Sequence, residues 1–425
     1  MFDKELIRVK NLPQKIHNGA IYSIEQNSVN SYTHSFFKYP CKFIPEIPKW
    51  GIKKYIRNDK QIIFDPFAGS GTTILEGCIH GNKSFYTEID EVATLITKVK
   101  THKFSSAEIK EIKNLYKKII KTYDDNDYVL PKIDNLLHWF PEENAINMAK
   151  LLNGINKIDN SYYRDFFKVC FASIIKKCSF CDDSSPKPYV STKVKKQPSN
   201  VIDEFKKVFK KYIDCEEELS KKRKFGKPIK AIGDALNFKL NEKIDIAITS
   251  PPYINAFDYG RTMRLENIWL DLLDEESLRK KKSDYVGTEK IVVKNEENDL
   301  SILNDSIILR KVFESIKSVD SKRALIVKKF FEDMRTNLLC VWENLNPNGY
   351  YMIVIGNSNI RKVEVESSKI LVEIATKYGF SLESYFSYII QNPYISIPRK
   401  GKGGKISYDN IIVLKKEVKN NGTTK

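Results

Sequence analysis

The sequence predicts an α/β protein whose core is a doubly wound, mainly parallel sheet, interrupted by a mostly helical insertion. Residues 61–79 give an apolar run, a glycine-rich turn and a helix-like stretch in that order, which is how such a sheet opens. Strand-like patterns stop near residue 100 and return near residue 230, with helical spacing between them. With 425 residues, 41% of them hydrophobic, the chain can form one large domain with insertions or two domains.

The first βαβ unit centres on the segment Asp65-Pro-Phe-Ala-Gly-Ser-Gly-Thr-Thr73. We predict a strand over 61–64, a helix over 74–79 and a second strand over 84–89. Gly69 and Gly71 permit a tight turn and the close approach of a ligand, and the helix N-terminus offers free N–H groups. The segment lacks the lysine of a P-loop and the third glycine of a dinucleotide fingerprint. It therefore predicts a site for an anionic or carboxylate-bearing ligand, or a tight connection alone.

Helical periodicity dominates residues 101–229, where we predict helices over 106–122, 142–155, 162–177 and 200–219. The predicted organisation has four parts: an N-terminal arm with the first half of the sheet domain, the helical insertion, the second half of the domain with a polar insertion at 274–321, and a disordered tail. Their bounds are 1–100, 101–229, 230–415 and 416–425.

The second half of the domain supplies further strands. We predict strands over 230–235, 244–250 and 350–355, helices over 324–345 and 368–378, and an antiparallel hairpin of 384–390 with 408–414 at the sheet edge. The strand over 244–250 runs into Pro251-Pro252-Tyr253. Because two prolines cannot continue ladder hydrogen bonding, they predict a rigid exit that leaves carbonyls free to accept, or a strand terminator and nothing more.

Two carboxylates lie at the ends of predicted strands. Glu88 can accept both hydroxyls of a ribose, and Asp234 can accept from the amine of an adenine. Each residue alone is ordinary for a strand end. Together they predict an adenosine-bearing cofactor across the carboxyl ends of adjacent strands.

The basic composition predicts a polyanionic partner. The formal charge of +17 suits a nucleic acid held through its phosphates, although an AT-rich genome would also enrich lysine. The chain shows no apolar leader and no window long enough to span a membrane, so we expect a cytoplasmic protein. Cys178 and Cys181 are spaced as a half-site for zinc but lack a partner pair, so we expect packing residues and no metal.

Asp65 to Thr72 together with Ser250-Pro-Pro-Tyr253 resembles motifs I and IV of the amino-methylating DNA methyltransferases, the bacterial N4-cytosine and N6-adenine modification enzymes. The segment His34 to Pro45 resembles their motif X, and the motif order X, I, IV follows. The resemblance implies a Rossmann-like, seven-stranded sheet with a C-terminal antiparallel hairpin, and S-adenosylmethionine as cofactor. The implied cofactor-binding residues are Lys42, Phe43, Asp65, Pro66, Phe67, Ala68, Gly69, Ser70, Gly71, Thr72, Glu88, Asp234 and Ser250. The implied catalytic residues are Ser250, Pro251, Pro252 and Tyr253.

By the same resemblance, Glu88 corresponds to motif II, Asp234 to motif III, and Gly356-Asn357 to motif VI. One departure concerns target recognition. In this motif order the recognition region usually lies between motifs III and IV or after IV, whereas here the long insertion separates motifs II and III. The location of the recognition region is therefore open.

The implied activity is methyl transfer to an exocyclic amine of double-stranded DNA by base flipping and direct attack. Ser250, in place of the Asp or Asn usual in adenine-specific members, favours cytosine N4 over the alternative, adenine N6. Methylation of RNA or of a protein amine, and a non-catalytic cofactor-binding module, are the rival interpretations. A restriction endonuclease acting on the same site is a candidate partner. We expect residues 184–230, with fourteen Lys and Arg against six acids, to contact DNA phosphates through Lys187, Lys193, Lys195 and Lys196, unless they form an ordinary solvated face.

Overall fold

A computed structural model of the chain describes residues 6–40, 42–193, 195–254, 259–391 and 408–417. The strands are β1 (Leu6–Val9), β2 (Ile21–Ile24), β3 (Ile63–Asp65), β4 (Ser84–Tyr86), β5 (Pro228–Lys230), β6 (Ile232–Asp234), β7 (Asn237–Lys239), β8 (Ile244–Thr249), β9 (Leu345–Ile355), β10 (Ser358–Ile360), β11 (Val363–Val365), β12 (Phe380–Ile389) and β13 (Tyr408–Lys416).

The helices alternate with these strands and fill both insertions. They are α1 (Glu46–Tyr55), α2 (Thr72–Ile79), α3 (Glu91–Lys100), α4 (Ser106–Thr122), α5 (Leu136–Trp139), α6 (Glu142–Asn156), α7 (Ser161–Ile175), α8 (Val201–Ser220), α9 (Tyr259–Thr262), α10 (Arg264–Trp269), α11 (Glu275–Lys281), α12 (Val293–Asn298), α13 (Ile307–Lys317), α14 (Ser321–Asn344) and α15 (Ser367–Lys377).

The main sheet has the strand order β1-β2-β12-β13-β9-β8-β3-β4-β5. Strands β9, β8, β3, β4 and β5 are parallel to one another, and β13 runs antiparallel to both β9 and β12. The seven strands from β5 to β12 confirm the predicted Rossmann-like sheet and its antiparallel hairpin.

The sequence predicted the hairpin at the edge of the sheet, but in the structure it lies inside the sheet. Strand β2 pairs in parallel with β12, and β1 pairs with β2, so two short strands from the N-terminal arm extend the sheet to nine. Their four-residue length gives too little alternation for periodicity to identify. The edge of the sheet is therefore formed by the arm.

Helices cover both faces of the sheet. On one face, Ile47 and Trp50 of α1 pack with Ile63, Ile248 and Met352 of the strands. On the other face, α13, α14 and α15 bury an apolar layer against the same strands. The helices of the first insertion share a separate core with α3. The carboxyl ends of the parallel strands are thereby left open for a site.

The predicted strand over 230–235 divides in two. Pro228–Lys230 joins the main sheet as β5, whereas Ile232–Asp234 pairs with β7 in a separate hairpin. Gly233 has a φ of +97°, and the Asp234 carboxylate accepts hydrogen bonds from the N–H groups of Leu236 and Asn237. Asp234 is thus the last residue of β6, in a side-chain-stabilised turn to β7, and does not end a strand of the main sheet.

The last predicted elements differ little from the structure. The helix expected to end at 345 ends at Asn344, and β9 begins at once with Leu345. Lys416, assigned to the disordered tail by sequence, is the last residue of β13. Residues 418–425 of that tail lie outside the described residues.

Candidate functional site

The glycine turn joins β3 to α2. Gly69 and Gly71 have φ values of +52° and +76°, in the left-handed region that favours glycine. A Cβ at Gly71 would lie 2.8 Å from the Thr97 side chain of α3. Positive φ and lack of space together require glycine at position 71.

Asp65, the last residue of β3, fastens this turn to the neighbouring strand. Its Oδ1 accepts from the Phe67 N–H at 3.0 Å and from the Thr249 hydroxyl of β8 at 2.6 Å. Burial raises the pKa of the carboxyl to about 6. Asp65 is completely buried, so the structure gives it a role in holding the turn against β8.

Glu88 follows β4 and faces the same turn. Its Oε2 accepts from the Gly69 N–H at 2.7 Å, and its Oε1 accepts from the Asp90 N–H at 2.8 Å. Burial raises the pKa of this carboxyl to about 8, and the nearby Asp90 carboxylate contributes to the rise. These bonds fix the carboxyl group beside the turn.

A pocket with about 800 Å³ of empty space, counting its open mouth, lies beside the turn. It brings together most of the residues that the sequence assigns to a cofactor: Lys42, Phe43, Pro66, Phe67, Ala68, Gly69, Ser70, Thr72, Glu88, Asp234 and Ser250, with Pro252 of the predicted catalytic set. Four predicted residues do not line it, namely Asp65, Gly71, Pro251 and Tyr253.

Sequence reasoning missed several pocket residues. Tyr39, Pro40, Ile89, Ala235 and Leu236 are close neighbours of predicted ones in the chain. Asp284, Tyr285 and Val286 come instead from the second insertion, which had no assigned role. The Tyr285 hydroxyl donates to Asp90 Oδ2 at 3.1 Å, and Lys281 pairs with Glu91 at 2.9 Å. These contacts hold the second insertion against the start of α3, where it forms one wall of the pocket.

Lys42, from the segment before α1, also lines the pocket. Its Nζ donates to the His34 carbonyl at 2.8 Å, and burial lowers its pKa to about 8. His34 Nε2 in turn lies 2.8 Å from Glu76 Oε1 of α2. The segment is thus fixed to α2, behind the glycine turn.

The strand exit after β8 contributes the other side of the site. Ser250 and Pro252 line the pocket, and Pro251 is buried. The Tyr253 hydroxyl donates to Asp409 Oδ1 of β13 at 2.6 Å. Residues 255–258, which follow, lie outside the described residues.

The lysines of the 184–198 loop differ in their surroundings. Lys193 and Lys195 are exposed, and Lys187 is half-buried. Lys196 donates to the carbonyls of Lys176 at 2.6 Å and Cys181 at 2.9 Å, and it pairs with Asp183. Lys196 therefore ties the loop to the end of α7.

Cys178 and Cys181 are fully buried in the core of the first insertion. Within the described part of the chain, no three His, Cys, Asp or Glu side chains form a group that could hold a metal ion.

Among the helices described, none combines the length and apolar character needed to cross a membrane.

Sequence comparison finds relatives that align with most of the chain. The type II methyltransferase M.MvaI of Kocuria varians is 27% identical over 94% of this chain and 92% of its own. The type II methyltransferase M.BsoBI of Geobacillus stearothermophilus is 24% identical over 80% of this chain and 71% of its own. A solved S-adenosylmethionine-dependent methyltransferase from Methanosarcina mazei aligns with 87% of this chain and 97% of its own at 9% identity, with a TM-score of 0.30. That superposition is too poor for a structural comparison. No protein-family model matches the sequence.

Proposed function

We propose that this chain, a homologue of the type II methyltransferases, is a DNA methyltransferase that uses S-adenosylmethionine and methylates an exocyclic amine, with cytosine N4 as the favoured target. One observation carries the proposal. Ser250 and Pro252 of the strand exit line the same pocket as Gly69 and Glu88 of the glycine turn. A cofactor held by the turn would therefore lie beside the residues assigned to the target base.

The pocket offers hydrogen-bond acceptors and apolar side chains that suit S-adenosylmethionine. The half-buried Glu88 carboxyl is an acceptor for ribose hydroxyls, and Asp234 is an acceptor for the adenine amine. Apolar contact comes from Phe43, Phe67 and Val286. Bound there, S-adenosylmethionine supplies an electrophilic methyl group. The Asp65 bond to Thr249 fixes the spacing between the cofactor side and the exit.

The exit residues act on the target base. The Ser250 side chain and the Pro251 carbonyl accept the two hydrogens of the amino group, which localises its lone pair for in-line attack. The Tyr253 ring stacks on the base. No covalent enzyme intermediate is needed, so the protein's contribution is positioning and electrostatic stabilisation. Because a paired base is out of reach inside a duplex, it must be flipped out of the helix.

The basic surface of residues 184–230 would hold the phosphates during this step. Lys193 and Lys195 are the exposed candidates, and Lys187 adds a half-buried one. Lys196 was predicted with them, but its bonds to the end of α7 make it a support for the loop. We therefore assign phosphate contact to the exposed pair first.

The product assignment depends on Ser250. Serine at this position resembles the cytosine-N4 members, yet Ser, Asn and Asp can all accept from an amino group. Adenine N6 is therefore the second candidate product, and RNA methylation on the same fold is the third. In a restriction-modification setting, the partner would be an endonuclease that cuts the same unmethylated site.

The test is methyl transfer from isotope-labelled S-adenosylmethionine into duplex DNA, with tRNA and protein as parallel acceptors. The modified DNA is digested to nucleosides and resolved by mass spectrometry, with a Pro251→Ala variant as the matched control. We expect N4-methylcytosine. N6-methyladenine as the sole product would refute the cytosine assignment, and label in RNA or protein alone would refute the DNA assignment. Sequencing methylated DNA from expressing cells would then give the target site.

A further inference from the structure

Asp409, a carboxylate remote in sequence from the exit, holds the hydroxyl of Tyr253. Asp409 Oδ1 accepts from Tyr253 at 2.6 Å, and Oδ2 accepts from the Tyr388 hydroxyl at 3.0 Å. Asp409 is 5% exposed, and burial raises its pKa to about 6. Among the described residues, its side-chain hydrogen-bond partners are thus two phenols and no cation.

The sheet topology explains how Tyr253 reaches this carboxylate. Asp409 is the second residue of β13 and pairs with Tyr388 of β12. Strand β9 lies between β13 and β8 and ends at Ile355, which pairs with Asn410. The register position of Asp409 therefore falls just past the end of β9. The chain leaving β8 can meet β13 there, over the end of the intervening strand.

A structural role alone does not explain why a carboxylate is buried at position 409. Burying an acid costs free energy even when both oxygens are hydrogen-bonded, and an apolar side chain would serve the sheet better. Two prolines restrict the backbone before Tyr253 but leave its side-chain torsions free to vary. A hydrogen bond at the far end of the ring restricts those torsions as well.

We propose that Asp409 is a positioning residue that fixes the Tyr253 ring in the orientation needed to stack on the flipped base, with Tyr388 holding the carboxylate in place. This inference rests on the proposed function. Asp409 does not touch the base or the cofactor in this scheme. Its effect passes through Tyr253, and that dependence can be measured.

The experiment compares Tyr253→Phe, Asp409→Ala and the double variant for kcat on duplex DNA, the dissociation constant of S-adenosylmethionine and the thermal midpoint. We expect each single change to lower kcat about tenfold, because a misplaced ring loses alignment while the cofactor site is untouched. The double variant should fall no further than either single one, as expected for two residues acting as one unit. Asp409→Asn keeps an acceptor oxygen and should recover most of the lost turnover.

Tyr388→Phe is the matched control, because it also removes one hydroxyl from Asp409 but leaves the Tyr253 bond. It should lower kcat less than Tyr253→Phe. Losses that multiply in the double variant, or parental turnover in Asp409→Ala or in Tyr253→Phe, would overturn the inference. If Asp409→Ala does not fold, Asp409→Asn and the two Phe variants decide it alone. A parental protein that methylates no DNA would overturn the proposed function itself, and this inference with it.

Discussion

The glycine turn and the strand exit lie side by side at the carboxyl ends of β3 and β8, but they are held in different ways. The turn is fixed mainly by its own βαβ unit, through the Gly69 N–H bond to Glu88, 19 residues away. The exit is fixed by the Tyr253 bond to Asp409, 156 residues away. Both segments can be recognised in the sequence, but the contact that fixes the turn is local, whereas the one that fixes the exit depends on the completed sheet.

The largest expected effect separates the two regions by function. Tyr253→Ala and Pro251→Ala should each lower turnover on duplex DNA by about a hundredfold. The first change removes the ring proposed to stack on the base, and the second keeps the carbonyl but loosens the rigid backbone that aims it. Affinity for S-adenosylmethionine, measured by calorimetry, should stay close to parental. Methylation at the parental rate by both variants would show that the catalytic interpretation of Ser250 to Tyr253 is wrong.

The second effect belongs to the turn. Glu88→Ala should weaken S-adenosylmethionine binding above pH 8, where the carboxyl is charged, by about 1–3 kcal/mol, the size expected for hydrogen bonds to a charged group. Calorimetry on the folded variant gives the measurement, and circular dichroism gives the fold control. Unchanged affinity would contradict the assignment of Glu88 to the cofactor site and the assignment of cofactor binding to the turn.

A smaller effect should appear in the pH dependence of cofactor binding. Glu88 accepts ribose hydroxyls best as a carboxylate, and its pKa of about 8 leaves it mainly protonated at neutral pH. Affinity should therefore rise with pH through 8, by at most about tenfold between pH 7 and 9. Lys42, with its pKa lowered to about 8, and the cofactor's own amine titrate in the same range. The comparison is therefore made against Glu88→Gln, and parallel pH profiles for the two proteins would contradict the assignment.

The smallest effect concerns neither region but the insertion. Replacing Lys193 and Lys195 with Ala should reduce the slope of log affinity for DNA against log salt, by about one unit for each phosphate that is no longer neutralised. Lys196→Ala is the contrasting variant, because it removes the hydrogen bonds that tie the loop to the end of α7 and not a proposed phosphate contact. An unaltered slope in the double variant would place the phosphate surface elsewhere, with residues 274–321 as the next candidate.

Elements with local signals could be predicted from the sequence. The helix over 106–122 matches α4 because Ser105 and Glu108 form a reciprocal capping box. Asn200 caps α8 through its side-chain oxygen, which accepts from the backbone N–H groups at the start of the helix. The glycine turn was also recognisable, since two positive φ angles call for glycine.

Elements that depend on tertiary contacts could not be predicted. The strand predicted over 230–235 is divided between β5 and β6, because residues 232–234 turn at Asp234 and pair with β7. Tyr285 reaches the pocket through a bond to Asp90, 195 residues away, and no pattern near either residue indicates it. Asp409 was likewise placed inside a predicted strand without any sign of what its carboxylate would contact.

Strand β13 has a consequence for the order in which the protein is made. In the described main sheet, it alone joins β12, β2 and β1 to the other strands. Those three strands therefore cannot pair with the rest of the sheet before β13 has been synthesised. During translation the cofactor pocket can form from residues already synthesised, while Tyr253 still lacks its carboxylate partner. The last residue that lines the pocket is Val286, so the lining is synthesised well before Asp409. By the role proposed for Asp409, full turnover would therefore be reached only after residue 409 has emerged.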